Sequence, residues 1–477
     1  MLVLENFKNY FLLFVIIKIL PGCNRTLHSP AIDPSFIMTS EKVPGIFVAV
    51  VKNDSVIYQQ AFGFIDKEKT NHLHAGSCME LGSISKSFTS EVMYHLHKIG
   101  MIGLDQPVTN YIKNAPSSWN QITVRHLLDH TSGITNYLTH PAFRAATYFQ
   151  GGGDSITIKF FNTVRPDSME KLFYSLPLEF EAGSGWSYSN TGYYLLGQIA
   201  EAVTGRNIFD LAHELIFQPF EMKQTMANEI AFSEGCLAHG YFENADTLQA
   251  AYTLTNNYAS SAGAWATTGI DMIQYLKAIH ARVLPSDTME DARTKHAGLP
   301  FTYSGGRFYS VFHGMEIITH NGGTPGYSSS WIYVPEKNIS IIVMMNIQDN
   351  ASIEPLAWDL LAGFEPALRY PSAKKNGKEE EDYTQLLLEF LTAMEKGSGL
   401  PGNMELPLKR FMESENGKGL WSWYFNGGFP KKAYCVDSES YGDNKLYRFR
   451  MPLSTVKEYR ITMEVNKNNK IVQLRWW

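Results

Sequence analysis

The sequence predicts an α+β protein: one antiparallel sheet flanked by helices, a mostly helical insertion within it, and a small α+β domain at the C-terminal end. Three observations carry this prediction. Apolar, β-branched segments stand at both ends of a long first region, near residues 45–61 and 328–345. Amphipathic helical patterns fill the stretch between them. A polar, charged segment then leads to a last helix and to strands with aromatic alternation.

The elements follow in chain order. Residues 45–52 are apolar and β-branched, Asn53-Asp54 is turn chemistry, and residues 55–61 return, which together predict a hairpin. A helix opens near Ser83 on Val92, Met93, Leu96 and Ile99 and closes at Gly100. Residues 103–108 are a turn. Thr123 caps a short helix expected to stop at Gly133. Residues 140–255 are read as helix and loop, with an amphipathic helix over 193–203 closed by Gly205. Ser261-Ala262-Gly263 precedes a helix over 271–280. Strands over 328–334 and 339–345 flank a Pro335-Glu336-Lys337-Asn338 turn. Residues 372–383 are charged, lack apolar periodicity and are expected to be a linker. A helix over 383–394 and strands over 445–450, 458–464 and 470–475 complete the chain. The expected domains are 30–371 and 384–477, the second with no motif that assigns it a role.

Composition sets outer limits. The 477 residues are 44% hydrophobic and 18% charged, enough for a sizeable core. A net charge of −6 gives no electrostatic case for nucleic acid. Residues 1–23 read as an export signal: Lys8 precedes an apolar run from Phe11 to Ile17, too short to span a bilayer. Leu20-Pro21-Gly22-Cys23 resembles a bacterial lipoprotein cleavage site, so Cys23 is the expected lipid anchor and the cell envelope the expected location. Cys78, Cys236 and Cys435 form no disulfide framework and no metal spacing; Cys78 is read as a buried packing residue. No cofactor or metal is expected, and the oligomeric state is left open.

The chemistry begins at Ser83 and Lys86. Positions three apart share a helix face, so the serine hydroxyl and the lysine amine would meet: a nucleophile beside a base. The motif alone is unspecific, since it recurs at Ser168/Lys171, Ser372/Lys375 and Ser454/Lys457. Tyr188-Ser189-Asn190 has a twin at Tyr424/Asn426, and His320-Asn321-Gly322 at His296/Gly298. Context separates them. Ser83 follows strands and opens a helix, Tyr188 sits on a glycine-bearing loop before a helix, and His320-Asn321-Gly322-Gly323 precedes a strand. His126 and His130 are read as structural.

These three motifs, in this order, resemble those of the penicillin-recognising serine hydrolases: class C β-lactamases, D-alanyl-D-alanine carboxypeptidases, and related esterases and D-aminopeptidases. Residues 104–108, 123–133 and 261–263 share the resemblance, which covers about residues 40–365. It implies a β-lactamase/transpeptidase-like fold. It also implies Ser83 as nucleophile, Lys86 as its base and Tyr188 as proton shuttle. Asn190 would bind the substrate amide or orient Lys86. The oxyanion would rest on the backbone N–H groups of Ser83 and Gly323, with His320, Asn321, Gly322 and Gly323 along the substrate. Gly322 and Gly323 are read as glycines so that substrate can lie against the strand.

One departure narrows the chemistry. The lysine-threonine-glycine triplet of serine β-lactamases is replaced here by His320-Asn321-Gly322. A neutral imidazole does not hold a substrate carboxylate as an ammonium does. The expectation is therefore an exported serine hydrolase of esters or amides, with small-molecule or peptide substrates such as D-amino-acid peptides. The alternative is a non-catalytic envelope sensor on the same scaffold. No glutamate is assigned as a deacylation base.

Overall fold

Strands from both ends of the long first region meet in one sheet, as the pattern predicts. The computed structural model describes residues 43–139, 166–288 and 301–476, apart from 245–246, 255, 349–352, 373, 376, 414–416, 419–424, 426–427 and 453–457. The expected signal segment and Cys23 lie outside the described residues. Among the described residues no helix is long and apolar enough to cross a membrane.

β1 (Gly45–Lys52) and β2 (Ser55–Gly63) form the expected hairpin. Asn53 and Asp54 turn it at φ 49° and 63°, a left-handed backbone that these two residue types tolerate. β3 (Cys78–Glu80) passes through one tight turn into α1 (Ser85–Lys98). The middle region holds α2 (Val124–Leu128), α3 (Pro166–Ser175), α4 (Asn190–Thr204), α5 (Ile208–Ala212), β4 (Met226–Ala227) and α6 (Asn228–Ser233). It continues with β5 (Tyr241–Asn244), β6 (Thr247–Ala250), α7 (Asn256–Gly263), β7 (Trp265–Thr268) and α8 (Gly269–Ala281). Four strands return: β8 (Thr302–Ser304), β9 (Arg307–Phe312), β10 (Met315–Thr324) and β11 (Tyr327–Val334). Then come β12 (Ile339–Met345) and α9 (Ile353–Phe364).

The main sheet is antiparallel with order β2-β1-β12-β11-β10-β9-β8. β1 pairs with β12 in a register that sets Val48 opposite Val343. Its central strands are buried on both faces, which is why β1, β11 and β12 read as continuous rather than alternating apolar runs. One face carries Phe47, Trp331 and Met344 against the middle helices. The other carries Val48, Ile332 and Val343 against Trp358 and Leu361 of α9. The apolar side chains of β1, β11 and β12 therefore divide between two cores, and alternation along β10 decides which residues can reach the middle helices.

The C-terminal region has its own core, built on Leu387, Phe390, Phe449, Ile461 and Met463. α10 (Lys378–Lys396) and α11 (Leu406–Glu413) pack with an antiparallel sheet of β13 (Tyr434–Tyr441), β14 (Asn444–Pro452), β15 (Glu458–Val465) and β16 (Ile471–Trp476). Its side chains reach the α9 face of the main sheet. Arg460 Nη1 lies 2.6 Å from Asp359 Oδ1 on α9, and Arg475 Nη1 donates to the Val311 carbonyl on β9 at 3.0 Å.

Three local expectations change. α10 starts at Lys378, so residues 378–383 are helix rather than linker. Glu379, Glu380 and Glu381 fill its first turn, where acidic groups complement the positive helix end. α2 stops at Leu128 rather than at Gly133, and His130 takes the left-handed backbone at φ 60°. A hairpin, β5–β6, occurs where helix and loop were expected.

Candidate active site

The site forms where α1 starts beneath β10. Ser83 is half-buried at the turn between β3 and α1, and Lys86 lies one turn on, its side chain removed from solvent. Lys86 Nζ stands 3.1 Å from Ser83 Oγ, 2.7 Å from Asn190 Oδ1 and 2.7 Å from the Ala262 carbonyl. No carboxylate pairs with it among the described residues. Burial holds its pKa well below the ordinary lysine value.

That arrangement orients the amine. The Asn190 oxygen and the Ala262 carbonyl can only accept hydrogen bonds. A neutral Lys86 donates its two hydrogens to them, and its lone pair is left for the one neighbour that can donate, the Ser83 hydroxyl. Asn190 is fixed in turn, its side-chain NH2 and backbone N–H both meeting Asn136 Oδ1 at 3.3 Å. It opens α4, whose N-cap is Ser189. Ala262 is delivered by a kink in α7 at Ser260, where φ is 41° and ψ −142°.

Tyr188 covers the pair from the side, with Lys86 Nζ 5.0 Å from its ring centroid. Its hydroxyl is buried and completes no hydrogen bond among the described residues. Burial pushes the phenol pKa up, and the facing Ser83 hydroxyl pulls it back in part.

β10 closes the site. His320 pairs opposite Trp331 and so lies on the face of the middle helices. Its Nδ1 is 2.6 Å from the Asn321 carbonyl, which can only accept, so that nitrogen carries the hydrogen. Nε2 then accepts from the Tyr303 hydroxyl at 3.1 Å. Burial first, and then Lys86 whenever it is protonated, lower the His320 pKa to about 3, so it is neutral in ordinary buffers.

Two glycines let β10 and the Ser83 turn touch. A Cβ on Gly322 would sit 1.8 Å from the Leu81 carbonyl, and one on Gly82, at φ 54°, would sit 2.7 Å from the Gly323 backbone N. Ser329 on β11 donates to that Leu81 carbonyl at 2.8 Å. The backbones that carry the Ser83 and Gly323 N–H groups are thus in direct contact.

The structure therefore brings together Ser83, Lys86, Tyr188, Asn190, His320, Gly322 and Gly323. Asn321 is a correction. It pairs opposite Ser330 on the other face, and its side chain donates to Glu354 of α9 at 2.6 Å, away from the site. Strand alternation sends it there. Gly322 also changes meaning: its missing side chain makes room for the chain's own Leu81 carbonyl.

His130, read as structural, belongs to the site wall. Its ring lies 4.3 Å from that of Tyr188 and 4.4 Å from that of Tyr303. The Ser189 N–H donates to its Nδ1, and among the described residues Nε2 has no partner. The sequence gives no sign of Tyr303, and marks Ala262 only as part of the Ser261-Ala262-Gly263 segment, with no role for its carbonyl. A backbone carbonyl leaves no signature in a sequence, and Tyr303 is one of 25 tyrosines.

The comparisons with known proteins agree with this geometry. The family described as Beta-lactamase matches residues 36–363. The chain belongs to the beta-lactamase family. It is a serine hydrolase of that family, similar to penicillin-binding protein 4* of Bacillus subtilis (strain 168), with 26% identity over 64% of this chain and 69% of that protein. It is also similar to the D-aminopeptidase of Cereibacter sphaeroides, with 26% identity over 70% of this chain. That match spans only 62% of the aminopeptidase, less than two thirds of its length.

Among solved structures, the octameric penicillin-binding protein homologue from Pyrococcus abyssi superposes with a TM-score of 0.59 at 24% identity. That likeness covers 90% of this chain and 89% of that one, so it extends past the main sheet. The D-amino acid amidase from Ochrobactrum anthropi SV3, complexed with L-phenylalanine, gives 0.57 at 21% identity over 69% of this chain and 95% of its own. At these identities the structural likeness speaks for the fold alone.

Proposed function

We propose that the protein hydrolyses esters or amides through an acyl-enzyme on Ser83. The observation that carries this reading is Lys86: buried, without a carboxylate partner among the described residues, and with two of its three neighbours able only to accept. Ser83 Oγ adds to the substrate carbonyl carbon while its proton passes to Lys86 Nζ. The oxyanion rests on the N–H groups of Ser83 and Gly323, a pair in which one donor is typically worth about 2.7–4 kcal/mol. The tetrahedral adduct collapses, and the leaving oxygen or nitrogen takes a proton relayed through Tyr188. Water then cleaves the Ser83 ester by the same steps in reverse order.

The preferred substrates are amides and esters of D-amino acids and short D-amino-acid peptides. The relatives named D-aminopeptidase support this class. Neutral His320, in place of a lysine, disfavours substrates that need their carboxylate held by a cation. We also propose that residues 1–23 direct export and that Cys23 carries a lipid. A Cys23→Ser chain that still labels with radioactive palmitate would end that part of the reading.

The test is direct. Intact mass after a fluorophosphonate should show one adduct, lost in Ser83→Ala. Folded wild-type protein that stays unlabelled would overturn the proposal. Among substrates, p-nitrophenyl acetate and D-alanyl amides should turn over and a chromogenic cephalosporin poorly. Efficient cephalosporin hydrolysis would overturn the reading of His320.

A further inference from the structure

Among the buried carboxyls that the mechanism above leaves unused, one lies three residues before the nucleophile. Glu80 ends β3, pairs opposite Ala266 on β7, and is 1% exposed. Its Oε2 accepts from the Thr324 hydroxyl at 3.0 Å. Thr324 directly follows Gly323 and, paired opposite Tyr327, points to the same face of the sheet as His320.

We propose that Glu80 is a positioning residue for the oxyanion site: its bond to Thr324 ties the strand that leads to Ser83 to the strand that carries Gly323. This deepens the acyl-enzyme reading and rests on it. Two ties join the segments. Ser329 on β11 holds the Leu81 carbonyl at 2.8 Å, and Thr324 on β10 holds Glu80. Between them the Gly82 and Gly323 backbones are in contact, so neither segment can shift without moving an N–H donor. Oxyanion stabilisation depends on donors fixed in advance, and misplacement of well under an ångström weakens it. Of the two ties, only Glu80 titrates.

The surroundings of Glu80 make its charge state matter. The groups that face it are Thr324 from β10, Asn228 from α6, Thr253 from the segment before α7, and Tyr327 from β11. None is a cation. Its Oε1 completes no hydrogen bond among the described residues. Burial accordingly pushes the Glu80 pKa up to about 8, so the carboxyl is neutral at neutral pH. Ionisation places an uncompensated charge in the core beside the oxyanion site and draws Glu80 toward water, away from the geometry of the tie.

The experiment is steady-state hydrolysis of p-nitrophenyl acetate across pH 5–10 by full-length wild type, Thr324→Val, Thr324→Ser and Glu80→Gln. Each is first titrated with a fluorophosphonate to count competent Ser83. Thr324→Val, close in shape but without the hydroxyl, should lower kcat about tenfold with KM little changed, as expected for one lost positioning bond. Thr324→Ser should restore most of it. Wild-type kcat should fall as pH rises through about 8. Glu80→Gln should keep its kcat at pH 7 within about twofold, because an amide oxygen still accepts from Thr324, and should lose that alkaline fall. Full kcat in Thr324→Val, or an unchanged alkaline limb in Glu80→Gln, would overturn the inference. If Glu80→Gln does not fold, the Thr324 pair decides alone. Wild type that turns over while every variant matches it sinks only this inference. Wild type that never labels at Ser83 sinks the acyl-enzyme reading, and this one with it.

Discussion

Two regions of this chain bury cations equally deeply and treat them in opposite ways. In the C-terminal sheet, Arg448 and Arg460 are each 2% exposed, and each meets two carboxylates. Asp437 and Glu439 flank Arg448; Asp359 and Glu458 flank Arg460. In the site, Lys86 is fully buried and meets a hydroxyl, an amide and a backbone carbonyl. A paired guanidinium stays charged and joins structural units. An unpaired ammonium in the same dry setting has its pKa drawn well below the ordinary lysine value, which favours the neutral base. The difference separates a joint from a catalyst, and it is made by partners rather than by depth. Glu80 and His320 follow the second pattern: burial without a partner of opposite charge pushes both toward neutrality.

Each half of that comparison can be broken. The largest effect belongs to Lys86→Met, which removes the base but keeps an apolar stem of similar length. Ester kcat should drop by about 10³–10⁴-fold, the upper range for a lost general base. The melting temperature should hold or rise, because a desolvated amine is gone. A large loss of stability would mean that Lys86 is a structural cation after all.

Next in size is Asp359→Ala, on the paired side. It strips Arg460 of its partner on α9 and should cost about 3 kcal/mol in urea unfolding, with ester kcat within about twofold of wild type. A kcat collapse at unchanged stability would place the C-terminal region in the chemistry rather than behind it.

Stability against pH sharpens the contrast further. Below about pH 4 an unfolded Glu80 is protonated like the folded one and costs nothing. Between about pH 4 and the folded value of about 8, the unfolded chain releases a proton that the fold retains, so stability falls as pH rises. The advantage of Glu80→Gln over wild type should therefore be absent at pH 4 and grow to pH 8 in thermal melts. An advantage that does not change with pH would show that Glu80 is charged in the fold.

The smallest expected effect is Ser329→Ala. It leaves the Leu81 carbonyl without its 2.8 Å partner and should cost about 1 kcal/mol of stability, with a few-fold drop in kcat. Wild-type behaviour in both would make the Ser329 tie dispensable and put the whole burden of alignment on Thr324 and Glu80.

Much of the fold and part of the site were legible before any coordinates, for local reasons. The Asn53-Asp54 turn, the β11–β12 hairpin, the Thr123 cap and the helix closed by Gly205 are each encoded within a few neighbouring residues. The start of α10 was missed because three glutamates in a row look like a solvated linker until a helix terminus is seen beneath them. In the site, Ser83 and Lys86 are one helical turn apart, so their meeting needed no tertiary information. The place of His130 in the site wall is not legible in the sequence, because nothing near it shows that Tyr188 and Tyr303 will pack on its ring.

The sequence by itself determined the elements, their approximate limits, and the order of Ser83, Lys86, Tyr188 and the His320 strand, since periodicity, capping and turn chemistry act over a few residues. The tertiary structure decided what those groups are chemically. It took the carboxylates away from Lys86, aimed Asn190 and the Ala262 carbonyl at it, and turned Asn321 toward Glu354. It also gave Gly322 to the Leu81 carbonyl and set Glu80 against Thr324. Protonation and positioning depend on which distant surfaces exclude water together, and that is a property of packed faces that no local pattern carries.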